Sequence, residues 1–341
     1  MVISSGPYPL VAEVVRAVNA AIPVEDPVVS IGMPVYNGER FIRQALDTLL
    51  EQTYPSFEII ISDNASKDGT RRICEEYAAQ DHRIKYNRNP TNIGIARNFC
   101  RVFDLASGTY FKWSSHDDFL APKFLECCVA VLNNDPSVVL ATTRFNLVDE
   151  HGTEKNIDDA LDEVATNDGR YRFQTKWPQK LSSWHPHERF LDIVLRNTLC
   201  QEFYGLIRAD SLRTVSPHGR YSGANKVLVA ELSLLGRFYV VDEPLFFSRI
   251  HGDHPTNPRS PATALAMDPA WKGRVPFPEM RMFVGYLRAV QKAEVSPVEK
   301  ALCLAGLARV VFQWRSLAKI LLPGPRNALG IGFPGPSRGN H

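Results

Sequence analysis

Two adjacent carboxylates, Asp117 and Asp118, stand in the segment Trp113-Ser-Ser-His116-Asp117-Asp118-Phe119, directly after the apolar run Tyr110–Trp113. Like charges side by side at a strand end repel each other, and a cation or hydrogen-bond donors hold them there most easily. Hard divalent ions prefer oxygen ligands, and Mg2+ takes one or two carboxylates together with substrate phosphates. Three further polar groups precede this pair. Pro34, Tyr36 and Asn37 close the first apolar run, and Ser62-Asp63-Asn64-Ala65-Ser66 with Asp68-Gly69-Thr70 closes the second. An acid in such a place can accept hydrogen bonds from a base imino group or a ribose hydroxyl, although Asp, Asn and Ser equally serve turns and helix caps. Asn92-Ile-Gly94-Ile-Ala-Arg97 opens a helix, and a helix N-terminus with an arginine suits a diphosphate.

These groups need elements to carry them. Val28–Val35, Phe57–Ile61, Tyr110–Trp113 and Val138–Thr142 are largely apolar, β-branched or aromatic runs of strand length, and Arg83–Tyr86 reads as a further short strand. Between them Glu39–Gln52, Thr70–Ala79, Asn92–Ala106 and Pro122–Leu132 show helical character. Strand and helix alternating at this spacing predict an α/β fold, a mostly parallel, Rossmann-like sheet with helices on both faces. In such sheets ligands bind beyond the carboxyl ends of the strands, where every group named above falls.

The remainder divides by composition into five expected regions. Residues 1–25 hold a short amphipathic helix, Leu10–Ile22, ended by Pro23. Residues 26–255 form the α/β domain, including a loop over 150–186 that loses periodicity and a return to mixed helix and strand from 187. A Pro-rich connecting arm follows over 256–278, then a helical extension over 279–322, then a Gly- and Pro-rich tail, 323–341, expected to be disordered.

With 341 residues, 44% of them hydrophobic, the chain is long enough for one full catalytic core plus an appendage. A net charge of +2 argues against a nucleic-acid partner, but the charge is uneven. Residues 271–341 hold 11 Lys/Arg against 3 Asp/Glu, while the first 270 hold 28 against 34, which points to a basic tail facing an anionic surface. Within it, Lys300–Leu322 reads as a helix with a broad apolar surface around Trp314, flanked by Arg309, Arg315 and Lys319. It suits peripheral contact with a membrane as well as packing on the catalytic body. The cysteines, at 74, 100, 127, 128, 200 and 303, form no CxxC pair, so reduced buried thiols are expected rather than zinc or disulfides. The absence of a signal-peptide pattern and of an 18-residue apolar run predicts a cytoplasmic protein, at most peripheral at the inner face of a membrane.

The order VSIGMPVYNGERFIRQALDTLLEQTYPSFEIIISDNASKDGT, then NIGIARN, then HDD resembles the family 2 glycosyltransferases of GT-A fold, closely over Val28–Asp118 and more loosely to about His251. The resemblance implies an inverting transferase that moves a sugar from a nucleotide-diphosphate sugar to the hydroxyl of a glycan, glycolipid or lipid-linked acceptor, with Mn2+ or Mg2+ as cofactor. It implies a donor site of Pro34, Tyr36, Asn37, Glu39, Asp63, Arg97, Asp117 and Asp118, in which Pro34 and Tyr36 flank the nucleobase. Asp63 then meets base or ribose, Arg97 lies near the diphosphate, Asp117 faces the ribose, and Asp118 holds the metal with His251 as a further metal or phosphate contact. His116 stands where the family often has an acid. A second departure concerns the general base. Many relatives place an Asp at the start of a later helix, where this chain has Asn225, which cannot take a proton, so Glu202 in CQEFYG, at an expected strand start, is the alternative catalytic residue. A catalytically weak nucleotide-sugar-binding protein is the first rival reading. A nucleotidyltransferase is the second, disfavoured because PVYNGERF is no Gly-rich phosphate loop, and the absence of GxGxxG after a strand disfavours an NAD enzyme.

Overall fold

The structure, a computed structural model, describes residues 28–155, 180–196, 200–216, 218–251, 260–271 and 277–313. The expected helix Leu10–Ile22 and the tail 323–341 lie outside the described residues, as do most of the 150–186 loop and the end of the basic segment.

Strands β1 (Val29–Val35), β2 (Phe57–Asp63), β3 (Ile84–Arg88) and β4 (Tyr110–Trp113) alternate with helices α1 (Ile42–Leu50), α2 (Thr70–Gln80) and α3 (Ile95–Asp104). They lie in the order β3-β2-β1-β4, all parallel. Every residue of β1, β2 and β4 is buried, as continuous apolar runs require of a strand covered on both sides. The chain steps outward from β1 through β2 to β3, then returns to the other side of β1 for β4. The topological switch therefore lies between the carboxyl ends of β1 and β4.

Beyond β4 the sheet becomes mixed. It continues through β8 (Leu206–Arg208), β6 (Val138–Val148), β9 (Arg237–Arg249) and β5 (Phe119–Leu120), with β7 (Glu154–Lys155) paired to β6, nine strands among the described residues. β8 is antiparallel to both β4 and β6, and β6 runs parallel to β9 with register shifts near Val138 and Arg144. β6 runs six residues past the expected strand Val138–Thr142, because β9 supplies a partner along its whole length.

The core has two layers, one on each face. Val29, Ile31, Met33 and Val35 of β1 pack with α1, α2 and α4 (Phe124–Asn134). Phe111, Trp113 and Val102 pack on the opposite face with α5 (Pro186–Arg196), α7 (Ala224–Leu235), α9 (Pro278–Lys292) and α10 (Pro297–Gln313). Burying each large apolar side chain stabilises by roughly 1.5–3 kcal/mol, so both layers are needed to hold the sheet. Between them come the short helices α6 (Ala209–Thr214) and α8 (Pro261–Met267).

Within the Pro-rich arm, Pro261 starts α8 at its first turn, and Ser260 caps it by accepting from the Thr263 amide at 3.0 Å. The described part of the helical extension comprises two helices, α9 and α10, and Cys303 and Leu307 of α10 are buried on the body. One expectation needs correction. Glu202 does not begin a strand; it sits in a 3-10 turn, Gln201–Tyr204, that precedes β8. Among the described residues no helix is long and apolar enough to cross a membrane.

Candidate active site

The acid pair follows β4 at the switch point, held by the strand before it and the strand behind it. The Ser114 amide donates to the Gly32 carbonyl at 2.9 Å, continuing the β1–β4 ladder by one step before the chain turns. Asp118 then directs its Oδ1 to the Arg249 amide at 2.8 Å, and Asp117 directs Oδ2 to Nε2 of His251 at 3.0 Å and Oδ1 to the Ser115 hydroxyl. Both carboxylates are nearly buried. Burial first, and the neighbouring Asp117 second, push the Asp118 carboxyl well above the usual carboxylate range; the Arg249 amide, Lys112 and Ser248 oppose the shift. A group in that state gains from any cation placed beside it.

Arg249 is the residue that fixes this turn. Its Nε donates to the Asp117 carbonyl at 2.8 Å, Nη1 to the carbonyls of Asp149 and Glu150 at 3.1 and 2.8 Å, and Nη2 to Gln44 Oε1 at 2.6 Å. Its guanidinium lies over the Phe41 ring at 4.7 Å. One side chain thus ties the acid turn to α1, to the end of β6 and to the end of β9. Sequence reasoning missed it, since an arginine closing a strand carries no local mark of such a role.

The β1 and β2 ends are stapled to each other. Asn37, in the left-handed region at φ 53°, accepts from the Lys67 amide at 2.9 Å, while its own amide donates to Ser66 Oγ at 2.9 Å. Glu39 accepts from the Gly69 amide at 2.8 Å. Tyr36 is exposed at the rim. Gly38 lets the acid turn approach, for a Cβ there would meet His116 Cδ2 at 2.6 Å. Asp63 is fully buried and accepts from the Ser66 amide at 2.8 Å, from the Tyr86 hydroxyl at 2.7 Å and from Arg88. The structure therefore gives Asp63 internal partners that the sequence did not reveal, with the half-buried Arg88 on its solvent side.

The helix carrying Arg97 begins at Ile95, three residues later than expected, because Asn92–Gly94 form a loop fixed by side-chain amides. Asn64 Oδ1 accepts from the Ile93 amide at 2.8 Å, Asn92 Oδ1 accepts from the Gly94 amide at 2.9 Å, and Asn98 bridges to the Ser62 carbonyl at 2.8 Å. Gly94 has φ +86°, and a Cβ there would come within 2.5 Å of Pro269 Cδ. The outcome is a helix start fixed by side-chain amides, with Arg97 exposed and without an ion pair among the described residues.

The two candidate bases lie on elements that pack together. Trp113, four residues before Asp117, stacks on Phe203 with ring centroids 4.4 Å apart, which brings the 3-10 turn against the acid turn. Glu202 in that turn is buried and lies within electrostatic reach of Lys226, whose ammonium is lowered by burial, with Cys200 and Glu202 opposing. Lys226 follows Asn225 in the first turn of α7. The turn is also linked to the acids through Gln201, which donates to Ser248 at 3.3 Å. Lys112, fully buried, donates to the Tyr204 carbonyl at 2.5 Å and has its pKa pushed down to about 7 by burial. Sequence reasoning found Glu202 and Asn225 but neither lysine.

A divalent ion fits the donor set only in part. Among the described residues no group of three His, Cys, Asp or Glu side chains is arranged to hold a metal. Asp118 and His251 offer one carboxylate and one imidazole, which suits an ion taking its other ligands from phosphates and water.

A parallel sheet with a switch point and an acid pair at the end of β4 define a fold of the GT-A class. Residues 30–191 match the family described as Glycosyl transferase family 2. Over that stretch, just under half of the chain, the sequence is similar to the family 2 glycosyltransferases. It is 36% identical over 127 residues to the glycosyltransferase EpsE of Bacillus subtilis (strain 168), covering 37% of this chain and 46% of EpsE. Chondroitin synthase of Escherichia coli is 32% identical over 127 residues, covering 37% of this chain and 18% of that one. The chain thus spans less than half the length of either relative. Among solved structures, residues 1–349 of S. aureus TarS in complex with UDP superimpose with a TM-score of 0.58 at 16% identity, over 86% of this chain and 74% of that one, a likeness of fold.

Proposed function

We propose that the protein is an inverting glycosyltransferase that moves a sugar from a nucleotide-diphosphate sugar to an acceptor hydroxyl of a glycan, glycolipid or lipid-linked acceptor. The observation that carries this reading is the Asp117–Asp118 pair, buried at the switch point and held by Arg249 and His251.

In this reading Tyr36 and Pro34 border the base, and Asp63 with Arg88 meets base or ribose. Asn37 and Glu39 hold the loop that closes over them, and Asp117 faces the ribose. Arg97 and the α3 N-terminus bind the diphosphate. Asp118 and His251 hold Mn2+ or Mg2+, which when bound neutralises charge on the departing nucleoside diphosphate. Glu202 removes the proton from the acceptor hydroxyl as its oxygen attacks the anomeric carbon. The bond to the diphosphate oxygen breaks on the opposite face, and the configuration inverts. Asn225 orients the acceptor by hydrogen bonding and takes no proton. Residues 300–322 add reversible contact with an anionic bilayer at the inner face of a membrane. This part rests on the exposed Leu302, Leu304 and Arg309 of α10.

The test is release of nucleoside diphosphate from a panel of nucleotide sugars with Mn2+, with and without mixed glycan acceptors. UDP-GlcNAc is the first probe, since TarS residues 1–349 are seen with it. Acceptor-stimulated release that falls by about 100-fold in Glu202→Gln, in line with the usual contribution of a general base, supports the reading. Tight donor binding without any release would favour a nucleotide-sugar-binding protein instead.

A further inference from the structure

Two side chains beside the acid pair take no part in the transfer described so far: Gln201, which opens the 3-10 turn, and Ser248, next to last in β9. Gln201 Nε2 donates to Ser248 Oγ at 3.3 Å. The Ser248 hydroxyl in turn hydrogen bonds to the Asp118 carboxylate, whose Oδ1 also accepts from the Arg249 amide at 2.8 Å. The residue before Glu202 is thereby joined to the acid turn after β4 by one unbroken chain of side-chain hydrogen bonds.

Chemistry fixes the direction of this chain. A carboxylate only accepts, so the Ser248 hydroxyl donates to it, and the hydroxyl oxygen is left to accept from a donor behind it. The Gln201 amide is that donor. Its other end shows how specific the arrangement is: Gln201 Oε1 is buried and has no hydrogen-bond partner among the described residues. Turning the amide over would let Oε1 accept from Ser248, but would draw the hydroxyl proton away from Asp118. The turn thus holds the amide in the sense that lets Asp118 accept, although a buried oxygen without a donor is costly.

The turn is built to hold that aim. Cys200, just before Gln201, has φ 54°, in the left-handed region that non-glycine residues seldom enter. Phe203 stacks on Trp113, and Lys112 donates to the Tyr204 carbonyl at 2.5 Å. Carboxylates that hold a cation are commonly oriented by such outer partners, which change affinity without touching the ion.

We propose that Gln201 is a positioning residue of the donor site: acting through Ser248, it holds the Asp118 carboxylate in one orientation for the divalent ion. This rests on the glycosyltransferase reading for the ion and the nucleotide.

Calorimetry on the full chain tests it, with UDP and GDP as probes and the tighter binder carried forward. Nucleotide affinity is measured without metal, and Mn2+ affinity at saturating nucleotide. Gln201→Met keeps the length of the side chain and loses the donor, while Ser248→Ala loses the link. Each should weaken Mn2+ affinity by about ten-fold, the usual effect of removing an outer partner of a metal ligand. Metal-free nucleotide affinity should stay at the wild-type value. The double variant should lose no more than either single one, since both break the same chain. Ser248→Thr, which keeps a hydroxyl, should retain most of the wild-type Mn2+ affinity. Both residues are only partly buried, so the variants should unfold at the wild-type temperature, and Gln201→Leu replaces the methionine variant if that one does not fold. Unchanged Mn2+ affinity in the Gln201 variant overturns the proposal. So does a matching fall in metal-free nucleotide affinity, which would mean a general disturbance of the crevice, and so does a double variant that loses the two single effects combined. If the wild type binds neither nucleotide, or binds without regard to Mn2+, the donor-site reading itself fails and the proposal falls with it.

Discussion

The two halves of the sheet are built by different means. In the parallel half, from β1 to β4, polar residues at strand ends are joined by short hydrogen bonds between neighbouring loops. The side chains of Asn37, Glu39, Asp63, Asn64, Asn92 and Asn98 each accept from a backbone amide or bridge to another strand end. In the other half, from the 3-10 turn to α10, position comes from packing: Trp113 on Phe203, Phe99 on His218, Tyr286 against Phe190. Its cations divide: Arg189 and Lys226 are drawn in by burial, while Arg220 and Arg281 are exposed. The difference teaches that the ends of parallel strands are fixed here by directed hydrogen bonds, and the mixed half of the sheet by packing.

The contrast can be broken first at the packing side. Phe203→Ala removes a buried ring that stacks on Trp113 and should cost about 4 kcal/mol in chemical denaturation. Because Phe203 carries the turn and not the donor loops, nucleotide affinity in the folded variant should change little. A large loss of nucleotide affinity would mean that the two halves are not separate.

Arg249 joins them, so its removal should injure both. Arg249→Met removes four hydrogen bonds, to the Asp117, Asp149 and Glu150 carbonyls and to Gln44, and should destabilise by about 3 kcal/mol. Metal-dependent nucleotide affinity should fall with it, while Arg249→Lys, lacking the fork, should rescue less than half of either loss. A smaller effect is expected at the seam between α3 and α8. Gly94→Ala forces a Cβ into Pro269 at φ +86° and should cost about 1–2 kcal/mol. Its signature would be faster hydrogen exchange in 260–271 with β1 and β2 unchanged.

How much was legible follows the same division. β1, β2 and β4 are continuous apolar runs, and their ends were marked by Asp and Asn, so both the parallel sheet and the acid pair could be read locally. α8 was hidden by its prolines, although Pro261 starts the helix rather than breaking it. β8, three residues long, is too short for any period to show. Lys112 looked like an ordinary alternation in YFKW, yet both faces of β4 are covered and it is fully buried. Arg249 could not be found at all from its neighbours, because its partner Gln44 is 205 residues away in the chain. Asp63 was legible as an important acid, but its partners Tyr86 and Arg88 emerge only when β3 is laid beside β2.

The acid pair carries the account, and its charge state provides the test. The folded chain raises the Asp118 pKa from its usual 3.8 to about 8. The sign follows directly: the folded state binds that proton more tightly than the unfolded state, so its contribution is fully present below pH 3.8 and is lost as pH rises through 8. Without metal, Asp118→Asn should therefore be at least as stable as the wild type at neutral pH, with a flatter decline of stability between pH 4 and 8. The most direct measurement is calorimetry of a nucleoside diphosphate, with and without Mn2+, on wild type and on Asp118→Asn at pH 7.5. The account predicts that Mn2+ strengthens wild-type binding by at least ten-fold and leaves the folded variant's binding unchanged. Equal strengthening by Mn2+ in both proteins, or none in the wild type, would contradict the assignment of Asp117–Asp118 as the donor-metal site.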